Sequence, residues 1–176
     1  MEYVIRKATP NDAKRLIDYL NIVGGESDNL TFGAGEFPVS IEDERVFLEN
    51  LIDNPKSVIF IAYKDGEVIG DAGITGKTRR MAHRAEFGIT VRKDYWNMGI
   101  GSALIEKCVE FAKEHDIEIL NLETRSDNKN AIHLYEKYGF KKTGTLPAFF
   151  KLNGEYIDFN MMQLDLRELT TDLRLF

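Results

Sequence analysis

The segment Val91–Ser102, VRKDYWNMGIGS, constrains the fold of this chain more than any other, because it joins two runs of different periodicity. Apolar and polar residues alternate over residues 84–91, which predicts a half-buried strand. From Leu104 onward, apolar residues recur at helical spacing. The join therefore brings Gly99 and Gly101 to a helix N-terminus, where backbone N–H groups lack helical partners. Such donors, together with the positive end of the helix dipole, form a binding site for a phosphate group.

Two other phosphate-binding patterns do not fit this segment. The dinucleotide pattern G-x-G-x-x-G needs a third glycine, and Leu104 occupies that position. The chain also lacks a G-x-x-x-x-G-K-S/T loop. A glycine pair before a helix is common in ordinary turns as well, so the segment indicates a phosphate site only together with other features.

Length and composition indicate one globular domain over residues 1–176, with 43% hydrophobic and 30% charged residues. The formal net charge of −6 argues against general affinity for nucleic acid or an anionic membrane, and it suits a cationic substrate or simple solubility. No run reaches the roughly 20 apolar residues of a membrane-spanning helix, and the N-terminus lacks a signal-peptide pattern. We therefore expect a cytoplasmic protein without nucleic-acid or membrane partners.

The cysteine and histidine residues predict neither a disulfide nor a metal site. Cys108, the one cysteine, falls on the apolar stripe of the helix after Ser102, which is typical of a buried structural thiol rather than a nucleophile. His83 falls at a turn, His115 at a helix end and His133 on a helix exterior. Because this spacing matches no metal-ligand pattern, we expect no metal.

The order of the elements predicts an α/β (α+β) fold with a mixed, mostly antiparallel central sheet. Three strand patterns within residues 58–91, joined by tight turns, form an antiparallel meander. The strand–helix–strand run that follows places the strand at 117–124 parallel to the strand at 84–91. Capping patterns at Thr9 and Ser40 begin two earlier helices. In total we expect about seven strands, at 3–8, 58–63, 68–75, 84–91, 117–124, 140–146 and 155–166, and about four helices, beginning near residues 9, 40, 102 and 128.

Three segments lie outside this regular pattern. A polar, glycine-rich loop over residues 21–39 is either a plain surface connection or one wall of a substrate cleft. The last two strands are joined by a connection over residues 147–154, and the segment 147–156, with Phe149, Phe150 and Tyr156, is expected to line the acceptor site. The tail Glu168–Phe176 is predicted to be a frayed end or a short helix, so the core covers about residues 3–166.

A second motif, NxxAxxLYxxxGF at residues 128–140, follows the next predicted strand. Together with VxxxxWxxGIGSxL at residues 91–104 and the order of elements, it makes the chain resemble the GNAT superfamily of acetyl-CoA-dependent N-acetyltransferases. The family's loop is usually Gln/Arg-x-x-Gly-x-Gly/Ala, and Trp96 occupies the Gln/Arg position here. The charge-assisted phosphate contact of an arginine is lost at that position, and Arg92 and Lys93 are the nearest replacements.

The resemblance implies where acetyl-CoA would bind. The strand at 84–91 would diverge from the strand at 117–124, and backbone groups of Ile89, Thr90 and Val91 would then meet the pantetheine and the thioester carbonyl. Strand N–H groups aimed at that carbonyl would act as an oxyanion hole. Asn128 would hydrogen-bond the pantetheine arm, although by position alone it is also a helix cap. The pyrophosphate would be held by the loop residues Asn97, Met98, Gly99, Ile100, Gly101 and Ser102.

The resemblance also implies two catalytic roles. Tyr135 would protonate or hydrogen-bond the departing thiolate, since a thiol has a pKa near ~8.5 and a tyrosine near ~10. By position alone, Tyr135 is a core aromatic residue. Glu86, on the polar face of the strand at 84–91, would receive the amine proton directly or through water, and its alternative is an ordinary solvent-facing glutamate. The competing bases are Glu123, Glu26 and Asp28.

The function implied is transfer of an acetyl group from acetyl-CoA to a primary amine by direct attack in a ternary complex, without a metal. The acceptor is expected to be a small-molecule amine or a protein amine, with a lean towards a small cationic or aromatic amine. One alternative is a non-catalytic acyl-CoA-binding sensor or interaction module, which would not need Tyr135. Another is an unrelated nucleotide-binding α/β protein, which would prefer a nucleotide without the pantetheine arm. Homodimers are common in the family, so a homodimer is compatible with the resemblance.

Overall fold

The computed structural model describes residues 2–167, in which a seven-stranded sheet carries four α-helices. The strands are β1 (Val4–Lys7), β2 (Val58–Lys64), β3 (Glu67–Gly76), β4 (Arg84–Val91), β5 (Ile119–Arg125), β6 (Lys141–Leu152) and β7 (Glu155–Asp165). The helices are α1 (Ala13–Gly24), α2 (Ile41–Ile52), α3 (Ile100–Glu114) and α4 (Lys129–Lys137). Short 3-10 turns occupy Pro10–Asp12, Arg79–Met81 and Lys93–Tyr95.

The strand order of the sheet is β1-β2-β3-β4-β5-β7-β6. Neighbouring strands are antiparallel except β4 and β5, which are parallel and are joined by the α3 crossover. This arrangement confirms the predicted α/β (α+β) class, with a mixed, mostly antiparallel sheet of seven strands and four helices in the described residues.

Two apolar cores form, one built on α3 and the other on α1 and α2. The larger core packs α3, through Leu104 and Cys108, against strand residues such as Phe87. The smaller core packs Tyr19 of α1 and Leu48 of α2 against β2 and β3. Because successive side chains of a strand point to opposite faces, β4 supplies odd-numbered residues to the α3 side and even-numbered residues to the other side.

The helical spacing of Val46, Phe47, Asn50 and Leu51 predicts that they form the buried face of α2, but the structure buries a different face. Its start is as predicted, because the Asp43 N–H donates to the Ser40 hydroxyl at 3.0 Å. Val46 is nevertheless 42% exposed, whereas Glu44 and Leu48 are buried. A cap fixes where a helix begins, but the packing of α2 on the sheet decides its rotation about its own axis.

The final hairpin is tighter than predicted. Strand β6 runs on to Leu152, so the expected connection over 147–154 shrinks to a turn at Asn153 and Gly154, with φ angles of 52° and 86°. Such paired positive φ angles suit a two-residue hairpin turn. Pro147 is tolerated within the strand because the β6–β7 register shifts between Leu146 and Phe150, which places the proline in an irregular stretch.

Helix boundaries shift by a few residues elsewhere. Helix α1 continues to Gly24, so the irregular segment that follows covers residues 25–40. Helix α3 begins at Ile100, two residues before the expected Ser102. The predicted tail Glu168–Phe176 lies outside the described residues. Within residues 2–167, none of the helices combines the length and apolar character needed to cross a membrane.

Candidate active site

Strands β4 and β5 separate partway along their length. Beyond Glu86, β4 continues to Val91 with β3 as its strand partner, and β5 continues to Arg125 with β7 as its strand partner. We call the resulting opening between residues 87–91 and 122–125 the wedge. Its wide end leads into the loop before α3. The β4–β5 register consists of the three pairs Arg84–Ile119, Ala85–Leu120 and Glu86–Asn121.

The backbone of β4 presents alternate residues to the wedge. The Arg92 N–H donates to the Ile69 carbonyl of β3 at 3.0 Å, and the β3–β4 register continues from there without a shift. Since alternate residues of a strand direct their N–H and C=O groups to opposite neighbours, Thr90 faces β3. Ile89 and Val91 face the wedge. Of the three strand residues predicted to contact the cofactor, two therefore present backbone groups there, and Thr90 does not.

Trp96 holds the loop onto the end of β4. Its indole Nε1 donates to the Val91 carbonyl at 2.7 Å, while the ring stays 41% exposed. This bond occupies the Val91 carbonyl and leaves the Val91 N–H directed at the wedge. Trp96, which occupies the family's usual Gln/Arg position, therefore holds the loop in place through its hydrogen bond to β4.

The loop Asn97–Ser102 enters α3 with a row of unpaired donors. Asn97 and Gly99 have φ angles of 61° and 84°, in the left-handed region that favours asparagine and glycine. The first backbone hydrogen bond of α3 joins the Ala103 N–H to the Gly99 carbonyl at 3.0 Å. The six N–H groups before Ala103 donate to no other described residue. Backbone donors at the positive end of a 15-residue helix are suited to a pyrophosphate.

Gly101 allows α3 and α4 to approach each other closely. A Cβ built on Gly101 would lie 3.2 Å from Cδ2 of Leu134, closer than ordinary van der Waals contact. Leu134 immediately precedes Tyr135 in α4, so this contact ties the loop to the helix that carries the predicted acid.

Tyr135 lies beside the narrow end of the wedge. Its ring packs edge-on against Phe87, with centroids 6.4 Å apart, and against Phe140 at 5.8 Å. Tyr135 is 8% exposed, and burial raises its pKa to about 12. Its hydroxyl forms no hydrogen bond with another described residue. The phenol thus keeps its proton and can donate it to a group placed in the wedge.

Asn128 caps α4, as its position alone suggested. Its Oδ1 accepts a hydrogen bond from the Ala131 N–H at 3.3 Å. The side-chain NH₂ group donates to none of residues 2–167, so the cap leaves it available for a carbonyl of a ligand. The two interpretations of this asparagine therefore use different atoms and are compatible.

A polar groove of about 280 Å³ lies on the even-numbered side of β4, opposite the Tyr135 side. Glu86 lies in this groove with its side chain 47% exposed, and its carboxylate pairs with the Lys77 ammonium at 3.2 Å. Glu123 of β5 is exposed in the same groove. The groove is lined by Lys77, Met81, Arg84, Glu86, Asn121, Leu122, Glu123, Thr143, Met161, Met162 and Gln163.

The loop over residues 25–40 contacts the wide end of the wedge. Glu26 accepts a hydrogen bond from the Lys93 N–H at 2.6 Å, just after β4. The Asp28 carbonyl accepts from the Arg125 guanidinium at 3.1 Å, at the end of β5. The loop thus lies beside the wedge rather than remote from it. The Glu26 carboxylate is engaged by the Lys93 N–H and the Glu86 carboxylate by the Lys77 ammonium. Of the predicted bases, Glu86 and Glu123 share the open groove.

An aromatic cluster flanks the same end of the sheet. Phe149 and Phe150 of β6 pack on Phe159 of β7 with ring centroids 4.8 and 4.3 Å away. Phe159 pairs with Arg125, the last residue of β5. The aromatic hairpin and the 25–40 loop therefore both lie near Arg125.

A buried series of hydrogen-bonded side chains next to Thr90 was not predicted from the sequence. The Thr90 hydroxyl donates to the Asp71 carboxylate, and the Tyr19 hydroxyl lies 2.7 Å from the Thr90 hydroxyl. Burial raises the pKa of Asp71 to about 6 and raises that of Tyr19 above its ordinary range. The sequence does show an aspartate, Asp71, within the otherwise apolar run of β3. Its hydrogen-bond partners could not be predicted, because they come from distant segments of the chain.

The remaining chemical groups supply neither a metal centre nor a reactive thiol. In the part of the chain that the structure describes, no three His, Cys, Asp or Glu side chains cluster as metal ligands would. Cys108 is fully buried, and burial raises its thiol pKa far above the ordinary value. A buried thiol that stays protonated is a poor nucleophile.

Known proteins share this architecture. The acetyltransferase (GNAT) family matches residues 27–140. The L-amino acid N-acetyltransferase AaaT of Escherichia coli K12 is 35% identical over 117 residues, which are 65% of this chain and 72% of that protein. A GNAT-family acetyltransferase from Streptococcus pneumoniae has a TM-score of 0.90 at 30% identity, covering 93% of this chain and 99% of that one. A phosphinothricin acetyltransferase (Pat) from Sinorhizobium meliloti, solved in complex with AcCoA, has a TM-score of 0.80 at 19% identity, covering 94% and 89%.

The matched region includes β4, the loop before α3, β5 and α4, which together form the wedge and its surroundings. Fold and site thus define an N-acyltransferase architecture. The chain belongs to the GNAT family of acetyltransferases, and its class of activity is that of an acetyl-CoA-dependent acyltransferase.

Proposed function

We propose that this protein transfers the acetyl group of acetyl-CoA to a primary amine by direct attack in a ternary complex. The observation that carries the proposal is a series of polar groups that have no hydrogen-bond partner among residues 2–167. The series comprises the six N–H groups of Asn97–Ser102, the wedge-facing N–H groups of Val91 and Ile89, and the Tyr135 hydroxyl. A phosphate, an extended amide-bearing arm and a thioester match these sites in that order.

The donors of this series fit the chemistry of the cosubstrate. Backbone N–H groups at the start of α3 would hold the pyrophosphate without a side-chain cation. The Asn128 NH₂ group and the backbone of Val91 would meet amide groups of the pantetheine. The Ile89 N–H would meet the thioester carbonyl, where a fixed donor stabilises the negative charge that develops on oxygen during acyl transfer.

Tyr135 is proposed as the general acid. Acetyl-CoA supplies an activated acyl carbon with a thiolate leaving group, so a C–N bond forms and a C–S bond breaks at the same carbon. With a pKa raised to about 12 by burial, Tyr135 stays protonated across physiological pH. Its hydroxyl can therefore give a proton or a hydrogen bond to the departing sulfur.

Glu86 is proposed as the base that takes the amine proton. It lies in the solvent-accessible groove, in the last register pair before the strands part, so water or an amine can reach it. The Lys77 ammonium, 3.2 Å from the Glu86 carboxylate, fixes the position of that carboxylate in the groove. Direct attack is preferred to an acyl-enzyme because Cys108 is enclosed in the core.

The acceptor in this proposal is an amine of a small molecule or of a protein. AaaT is named for acetylation of L-amino acids, so free amino acids belong in the first panel of acceptors. As part of the same proposal, residues 1–176 act as one domain in the cytoplasm, without a metal, and as a monomer or a homodimer.

The proposal is tested by release of free thiol from acetyl-CoA over a panel of amino acids, polyamines, aromatic amines and peptides. We expect thiol release that depends on one class of amine and that is accompanied by an acetylated product of matching mass. Binding of acetyl-CoA without amine-dependent thiol release from any acceptor would contradict the proposal and favour an acyl-CoA-binding module.

A further inference from the structure

Arg84 is a cation of the groove that has no acidic partner in the part of the chain that the structure describes. Its guanidinium donates to the neutral side-chain oxygens of Asn121, at 2.6 Å, and Gln163, at 3.5 Å. No carboxylate of residues 2–167 lies within ion-pair distance of it, whereas the neighbouring Lys77 is paired with Glu86. A guanidinium held by two amides in a half-buried groove retains both its charge and free N–H groups for an anion.

The segment around Arg84 is basic although the protein is acidic. Residues 72–85 contain four cations, Lys77, Arg79, Arg80 and Arg84, and no acid, while the whole chain has a net charge of −6. Such a local concentration of positive charge attracts an anionic group to this end of the groove and repels a polycation.

Cationic and anionic side chains lie side by side in the groove along β4 and β5. Arg84 reaches the row of the Glu86–Asn121 pair, the last pair before the wedge. Glu123 lies two residues beyond Asn121 on β5, in the same groove. Gly88 follows Glu86 on the same side of β4, and a Cβ built there would have no atom within 4 Å. Open space therefore adjoins the narrow end of the wedge, between the carboxylates of the groove and the position proposed for the thioester.

From this arrangement we propose that Arg84 binds a carboxylate of the acceptor, so that the acceptor is an amine that also bears a carboxylate, as a free amino acid does. The inference rests on the proposed function and specifies its acceptor. Two parallel N–H groups of a guanidinium match the two oxygens of a carboxylate, while the amine of the same molecule faces Glu86 and Glu123. This inference replaces the expectation of a cationic amine acceptor. That expectation followed from the net charge of the whole chain and not from the charge of the groove.

The test compares each amino acid with its carboxamide, which keeps the side chain and the amine but lacks the carboxylate. Thiol release is measured for both acceptors with the wild type and with Arg84→Gln, Arg84→Lys and Arg80→Gln. The ratio of kcat/KM values for acid and amide is then compared between variants. Because the same two acceptors are used throughout, the different basicity of their amines cancels from that comparison.

In the wild type the acid is expected to be preferred over the amide. Arg84→Gln should raise the KM for the acid roughly ten- to hundredfold, the usual range for losing hydrogen bonds between charged groups, with kcat changed little. It should leave the amide nearly unaffected, so the preference disappears. Arg84→Lys should be intermediate, because a point charge lacks the planar fork. Arg80→Gln removes the same charge outside the groove lining and should keep the wild-type preference.

The outcomes separate this assignment from the proposed function. Equal use of acid and amide by the wild type, or a preference that survives Arg84→Gln, would overturn the assignment while transfer itself stands. If no amine gives thiol release, calorimetric titration of the amino acids into protein saturated with CoA still decides the role of Arg84. Binding that is lost in Arg84→Gln would support the assignment, and absence of binding to the wild type would overturn it.

Discussion

The two sides of β4 are built in different ways. On the α3 side, Phe87 packs in a dry core beside Tyr135, and the wedge is lined by backbone groups of Ile89 and Val91. On the other side, Arg84 and Glu86 lie in a polar groove among charged and amide side chains. One strand thus separates a site made mainly of backbone from a site made of side chains.

Under the proposed function, the two substrates would be recognised in different ways. Backbone donors bind features common to every molecule of a cosubstrate, such as a pyrophosphate, and they tolerate an unusual residue such as Trp96 in the same loop. Side chains carry the charge and shape that distinguish one acceptor from another. We therefore expect changes on the groove side to alter acceptor use, and changes in the loop to alter acetyl-CoA affinity.

The largest effect is expected from Tyr135→Phe, which removes the hydroxyl that we propose as the general acid on the dry side of β4. Loss of a general acid typically lowers kcat about 10²- to 10⁴-fold. Since the hydroxyl has no hydrogen-bond partner among the described residues, the midpoint of urea unfolding and the acetyl-CoA affinity should remain close to wild type. The measurements are thiol release, urea unfolding and calorimetry. Unchanged turnover would show that Tyr135 is only a core residue.

Glu86→Gln tests the groove side and should lower kcat roughly ten- to hundredfold, because the amide cannot accept the amine proton. Acetyl-CoA binding should not change, since the groove and the loop lie at opposite ends of the wedge. Glu123→Gln is the matched control in the same groove. A larger loss of kcat in Glu123→Gln than in Glu86→Gln would move the proposed base to β5.

Asp71 predicts a pH dependence of stability. Its folded-state pKa of about 6 lies above the ordinary 3.8, so the folded state binds the proton more tightly. The free energy of unfolding therefore falls as pH rises from about 4 to about 6. At about 1.36 kcal/mol per pKa unit the full loss is about 3 kcal/mol. Some solvent contact at Asp71 screens the charge, so we expect a smaller loss.

Asp71→Asn checks this pH dependence, because it removes the titration and keeps an oxygen acceptor for the Thr90 hydroxyl. Urea unfolding across this pH range should show a flatter dependence in the variant and a more stable protein at neutral pH. A variant that keeps the wild-type slope would mean that other groups cause it.

The smallest effect is expected from Gly99→Ala. A φ angle of 84° costs a residue with a Cβ about 1–2 kcal/mol, and part of that cost appears as distortion of the loop. Acetyl-CoA should bind roughly tenfold more weakly, while the ratio of acid to amide use at saturating acetyl-CoA stays unchanged. A change in that ratio would break the division between a backbone-built and a side-chain-built site.

The same division explains which parts could be predicted from sequence. A site made of backbone requires glycine and a strand-to-helix junction, and both are visible over Val91–Ser102. The β4–β5 pairing also followed from the order of the elements, because a crossover helix enforces parallel neighbours. Thr90 was the exception, since the direction of its backbone depends on the register with β3.

The groove could not be predicted, because its members meet only through register. Arg84, Asn121 and Gln163 come from three strands and share a face through the β4–β5 and β5–β7 pairings. Asp71 and Tyr19 are likewise joined by packing between β3 and α1. The exposed Val46 of α2 shows the same limit, since periodicity marks a helix but not its rotation.

Calorimetric titration with acetyl-CoA tests the central claim most directly, because every catalytic role depends on that site. We expect one site per chain with micromolar affinity, weakened in Gly99→Ala and retained in Glu86→Gln and Arg84→Gln. Absence of binding to a folded wild-type protein would contradict it, and would mean that the free N–H groups of Asn97–Ser102 do not form a cosubstrate site.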